Sequence, residues 1–88
     1  MKTAVAGTLE SMDCLVTVTE APVGAGISLT LEGAGAARFR TSMEKTVCSV
    51  LARMGVCDAD VNVQDCGALE IVLEARVETA VKRLGGGN

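Results

Sequence analysis

The segment Gly7-Thr8-Leu9-Glu10-Ser11-Met12-Asp13 places a hydroxyl in a short polar turn with a carboxylate on either side. A hydroxyl at such a place is open to a modifying enzyme, because connecting segments run over the protein surface. Serine and aspartate are also ordinary turn residues, so the segment alone leaves both readings standing. Reactive groups are scarce elsewhere. The chain has no histidine, tyrosine or tryptophan. Acid–base work would fall to carboxylates or lysines, and no nucleophile has a base at recognisable spacing. Cys48, Cys57 and Cys66 lie nine apart, which invites a metal reading. Zinc sites usually pair their ligands as C-x2-C, often with histidine, so no metal site is assigned. With Cys14, these cysteines read as buried small hydrophobes of a reducing compartment. Gly24-Ala25-Gly26 and Gly33-Ala34-Gly35 are loops without the full G-x-G-x-x-G context. No residue reads as catalytic.

The elements that must position this turn follow from hydrophobic spacing. Thr3 to Thr8 is a short edge strand. In Cys14–Glu20, Val16 and Val18 face one way and Leu15, Thr17 and Thr19 the other, which predicts a second strand. Ala21 to Gly26 breaks it. Ile27, Leu29 and Leu31 alternate with Ser28, Thr30 and Glu32, so a half-buried strand should form an antiparallel hairpin with the one before. Gly33 to Ala37 reads as a flexible connection. Thr41-Ser42-Met43-Glu44 has the spacing of a capping box. Met43, Val47, Val50, Leu51 and Met54 follow at helical spacing, and Gly55 is the stop. Phe39 is expected to staple onto the helix or the sheet. Val61 and Val63 mark a short strand, and Asp65 in the next turn is a candidate cap. Leu69, Val72, Leu73, Arg76, Val77, Ala80, Val81 and Leu84 line one face of a last helix. Glu70, Glu74, Glu78 and Lys82 occupy its other face, with Glu78 and Lys82 as a supportive i,i+4 pair. The order βββαβα predicts an α+β fold, a two-layer sandwich. Its sheet of three or four mostly antiparallel strands carries both helices on one face.

The chain of 88 residues fits one domain, 1–88, with 85–88 as a flexible tail. The apolar fraction is 49%, which excludes disorder by composition. Phe39 is the single aromatic, so a roomy aromatic-lined pocket is not expected. A net charge of −3 and the lack of stacking aromatics argue against a nucleic-acid partner. No signal peptide or membrane span is visible, and a cytoplasmic, soluble protein is expected.

Three stretches carry a family resemblance: Ala4-Val5-Ala6-Gly7-Thr8-Leu9-Glu10-Ser11-Met12-Asp13, then Val50-Leu51-Ala52-Arg53 with Val56, then Val61-Asn62-Val63-Gln64-Asp65 through Gly67-Ala68-Leu69 to Ala75-Arg76-Val77-Glu78. In them the chain resembles the acyl carrier protein of citrate lyase, its gamma subunit. Ala21 to Arg40 matches only in pattern. The family's G-T-L-E-S-x-D segment falls on Gly7 to Asp13, so the resemblance implies a covalent phosphoribosyl-dephospho-CoA arm on Ser11. Family members often have glycine where this chain has Met12, and a residue with a Cβ avoids positive φ. Glu10 and Asp13 are candidates for recognition by the attachment enzyme, or for capping the turn. Helical acyl carriers place their serine in a D-S-L motif; here the serine precedes a strand, which implies another fold for the same task.

The resemblance further implies that the arm's thiol holds an acetyl thioester. An alpha subunit, an acyl transferase, exchanges acetate for citrate, and a beta subunit, a citryl lyase, releases oxaloacetate. A prosthetic-group transferase loads the arm. The chain itself would be a non-catalytic carrier, and a flexible tether holds the acyl group at about mM effective concentration. Citramalate lyase and malonate decarboxylase use similar arms and remain alternatives, the second with a more distant match. A regulatory or structural α+β module is the reading from a different class.

Overall fold

Alternating apolar residues fix the sheet. The computed structural model describes residues 1–85. Strand β1 spans Thr3–Gly7, β2 Cys14–Glu20 and β3 Ile27–Gly33; helix α1 spans Ala36–Arg53, strand β4 Ala59–Asp65 and helix α2 Glu70–Leu84. The sheet order is β1-β2-β4-β3. The register lines up Ala6, Val16, Val63 and Leu31 in one row, and Ala4, Val18, Val61 and Leu29 in the next. These rows share a face because side chains alternate along each strand. Both helices cover that face: α2 lies over β1 and β2, and α1 packs on β3 and on α2. Met43, Val47, Val50 and Leu51 of α1 meet Leu73, Val77 and Ala80 of α2 in the core. The other face carries Thr17, Asn62 and Thr30 in register and is not covered by a helix. The expected two-layer α+β sandwich of order βββαβα is therefore the observed one.

Three local expectations need correction. First, β2 and β3 do not form a hairpin. β4 lies between them, antiparallel to β2 and parallel to β3, so the sheet is mixed. The reason is topological: α1 returns the chain to the end where β3 began, and strands joined by such a crossover run parallel. β4 takes the centre because Ala59, Val61 and Val63 are all fully buried, whereas β3 at the edge buries Leu31 alone. Second, α1 starts at Ala36 and not at the Thr41 capping box. A first turn forms ahead of a kink at Phe39, whose φ of −119° and ψ of 24° break the helix. The Gly33 to Ala37 connection is thus largely strand end and helix start. Third, Phe39 does not join the core but lines a surface cleft with Met43 and Leu69. It is 54% exposed, and the Arg38 guanidinium sits 5.2 Å from its ring centre.

The expected stop at Gly55 is present. Gly55, at φ +74, closes α1 with the Gly55 N–H donating to the Ala52 carbonyl and the Val56 N–H to that of Leu51. Glu78 and Lys82 form the expected pair at 3.3 Å. Of the expected 85–88 tail, residues 86–88 lie outside the described residues.

Gly33 joins β3 to α1 at φ +103, and a Cβ there would overlap the Asp65 carbonyl oxygen. The Gly33→Ala variant should lose about 2–4 kcal/mol, combining left-handed strain with overpacking against backbone. Denaturant unfolding midpoints at an unchanged m-value check this.

Candidate functional site

The β1–β2 connection is built by its own short-range bonds. Gly7 leaves β1 at φ +95, where a Cβ would overlap the Cys14 carbonyl oxygen. The Thr8 N–H donates to that carbonyl at 3.2 Å and closes the hairpin. The Asp13 N–H donates to the Glu10 carbonyl at 3.1 Å, so Glu10-Ser11-Met12-Asp13 is a β-turn. Ser11 holds its second position and is exposed, as are Leu9, Glu10 and Met12. No hydrogen bond ties the Ser11 hydroxyl to the described residues. Met12 holds the third position at φ +67, the one non-glycine residue with positive φ among the described residues. The backbone shape a glycine would supply is thus adopted by methionine. Its side chain is 64% exposed, so burial does little to offset about 1–2 kcal/mol of left-handed strain.

Asp13 anchors the turn to the rest of the fold. Its carboxylate accepts Thr8 Oγ1 at 2.7 Å and the Cys14 N–H at 2.7 Å. Arg76 of α2 donates through Nε and one terminal nitrogen, each at 3.0 Å, in a bidentate pair. Thr8 Oγ1 also accepts the Glu10 N–H at 3.2 Å. The Arg76 guanidinium, with Thr8 and the Cys14 N–H behind it, holds the Asp13 carboxyl well below the usual carboxylate range. Both oxygens of Asp13 are engaged within the fold, whereas Glu10 leaves its carboxylate at the exposed turn.

A second loop straps the turn from the side. The Met12 N–H donates to the Cys66 carbonyl at 2.8 Å, and the Cys66 N–H to that of Asp13 at 2.9 Å. Asp65 is the one buried charged residue among those described, at 5% exposure. Its carboxylate accepts the N–H groups of Gly35, Gly67 and Ala68. As a candidate cap it stops short of α2, whose N-cap position Leu69 holds. Asp65 instead ties the loop before α2 to the start of α1.

The cysteines divide. Cys14 is fully buried, and burial with the nearby Asp13 and Asp65 charges pushes its thiol up to about 11. It is therefore a packing residue and a poor nucleophile. Cys66 is half-buried, but Cys48 and Cys57 are exposed, against the expectation that all four are buried. Both lie outside the core face: Cys48 on the solvent side of α1, next to the buried Val47, and Cys57 in the α1–β4 loop. Among the described residues, no three metal-ligating side chains converge.

Sequence reasoning set Ser11, Glu10 and Asp13 together, and the structure holds all three in one turn. It missed the anchoring roles of Thr8 and Arg76. Arg76 carried a signal, because it interrupts an apolar helix face and a cation there needs a partner.

The geometry defines a small scaffold that presents the exposed Ser11 hydroxyl at the turn of a hairpin braced by a helix. Comparison with known proteins gives the family. Residues 1–84 match the family model described as malonate decarboxylase delta subunit (MdcD). A citrate lyase acyl carrier protein of Rhodopseudomonas palustris is 42% identical, over 91% of this chain and 80% of its own length. Those of Haemophilus influenzae strain PittEE and Leuconostoc citreum are 44% and 43% identical over 93% of this chain, covering 83% and 82% of theirs. The chain belongs to the citrate lyase acyl carrier protein family.

Two outcomes follow for the turn. Met12→Gly should raise stability by about 1 kcal/mol, read from the denaturant midpoint, because it removes the strain and loses little contact. Asp13 has a depressed pKa when folded, so its stabilisation is present above the unfolded value of about 3.9 and lost as pH falls. Asp13→Asn should therefore be less stable than wild type at about pH 6, with the gap narrowing towards about pH 2.5 in paired unfolding curves.

Proposed function

We propose that the chain is the acyl carrier subunit of a citrate lyase complex and carries a phosphoribosyl-dephospho-CoA arm on Ser11. The observation that carries this reading is the exposed Ser11 hydroxyl on a turn whose backbone is bonded on every side. A phosphodiester to a bulky nucleotide needs open solvent around its oxygen, and Leu9, Glu10 and Met12 leave that space. When attached, the arm supplies a thiol that forms acyl thioesters. The chain's own residues do something simpler: Asp13, Thr8 and Arg76 keep the hydroxyl in a fixed position as partners come and go. Asp13 acts on the site by positioning, and Glu10 is the carboxylate free to contact the attachment enzyme. The alpha transferase and beta lyase subunits are the partners, with the prosthetic-group transferase acting before them. The four unpaired cysteines support a cytoplasmic setting. No helix among the described residues is long and apolar enough to cross a membrane.

The family model's description names malonate decarboxylase, and for that reason a decarboxylase carrier is the second reading. Activity of the loaded chain with the citrate lyase partners separates the two. Co-expression with the attachment machinery should give a protein heavier by one phosphoribosyl-dephospho-CoA group, mapped to the peptide holding Ser11. Ser11→Ala should stay unmodified, abolish citrate cleavage by the reconstituted complex and change folding stability by less than about 0.5 kcal/mol. Full activity of Ser11→Ala would sink the carrier reading.

A further inference from the structure

The Ser11 turn shares one end of the molecule with the starts of both helices. β1 ends there at Gly7, β2 begins at Cys14, and β3 and β4 end at Gly33 and Asp65. Between the N-terminal halves of α1 and α2 lies a cavity of about 230 Å³, walled by Phe39, Met43, Thr46, Ala68, Leu69 and Leu73. Phe39 and Leu69 are 54% and 60% exposed at its mouth. Its lining is mostly apolar, with hydroxyls from Ser42 and Thr46. Asp65 lies on the wall, but its oxygens face the N–H groups of Gly35, Gly67 and Ala68.

We propose that this cleft holds the neutral acyl-thioester tip of the arm carried by Ser11, an inference that rests on the carrier reading above. Proximity names the occupant. Met12 bonds to the Cys66 carbonyl, and Ala68 lies two residues further on. At up to about 3.6 Å per residue, the cleft wall begins within roughly 10 Å of the turn. A CoA-type arm reaches that far and is always present at about mM effective concentration. Size selects the part of the arm. Sites for whole drug-sized ligands run to about 300–1,000 Å³, so this cleft takes a slender tip and not a nucleotide. Charge agrees, because Glu70 at the rim disfavours phosphates and carboxylates and leaves a neutral acetyl thioester as the fitting load. The hydroxyls of Ser42 and Thr46 suit the amide groups near that tip.

The test uses full-length chain loaded on Ser11 and acetylated on the arm. Water attacks the thioester carbonyl, the C–S bond breaks, and acetate and free thiol result. Hydrolysis should be about threefold slower than for free acetyl-CoA, as expected for a site of about 0.5 mM affinity under a tether of about 1 mM. Ala68→Phe, and Ser42→Phe at the exposed rim should Ala68→Phe not fold, should return the rate to that of acetyl-CoA. Loading should also shift the amide resonances of Phe39, Thr46 and Leu69. Equal hydrolysis rates with shifts confined to Leu9–Asp13 would overturn the cleft assignment and leave the carrier reading intact. Absence of any adduct on Ser11 would overturn both.

Discussion

The bidentate pair between Arg76 and Asp13 is the interaction on which the site depends. It joins a hairpin turn to the middle of the last helix, two segments 63 residues apart in sequence. Removing either partner leaves the other without its main counter-ion in a half-buried place, where an unpaired charge is costly. The pair also solves a geometric problem. An exposed turn carrying a strained methionine would ordinarily be among the most mobile parts of a small domain. Here Asp13 gathers a hydroxyl, a backbone N–H and a guanidinium, and the β4–α2 loop bonds the turn from the side. The hydroxyl is left open while everything beneath it is fixed.

Rigidity at the Ser11 turn fits the division of labour that the proposed carrier role requires. In the proposed carrier a long arm supplies reach, and the protein supplies a constant origin for it. A carrier whose own turn wandered would add uncertainty to every encounter with a partner. The strain at Met12 is tolerable in such a setting, because strained backbone persists where surrounding bonds over-determine it. The same bonds explain why a Cβ can stand where glycine is the easier choice.

Much of this was legible in the residues. Alternation in Cys14–Glu20 and in Val61–Gln64 gave the strands, and 3.6-residue spacing gave both helices. Ser11 stood out as a hydroxyl between carboxylates, and the G-T-L-E-S-x-D resemblance singled it out. The misreadings have physical causes. Ile27–Leu31 alternates as well as a hairpin partner would, and local pattern says nothing about which strand lies beside it. Only the crossover through α1 decides that. The capping box at Thr41 is real as a pattern, but the chain finds an earlier helical turn because Asp65, distant in sequence, accepts the Gly35 N–H. Arg76 on an apolar face was visible, yet its partner could be named only in three dimensions.

The opposite end of the molecule is built separately from the Ser11 turn. The β2–β3 loop there runs through the exposed Pro22, Val23 and Gly24, tethered to Asp58 by the Gly24 and Gly26 N–H groups. Cys57 sits beside it with its thiol in solvent. That pole is a natural handle. A fluorophore or surface linker fixed to Cys57 would ride on the far side of the molecule, so encounters at the Ser11 end could be watched without standing in their way.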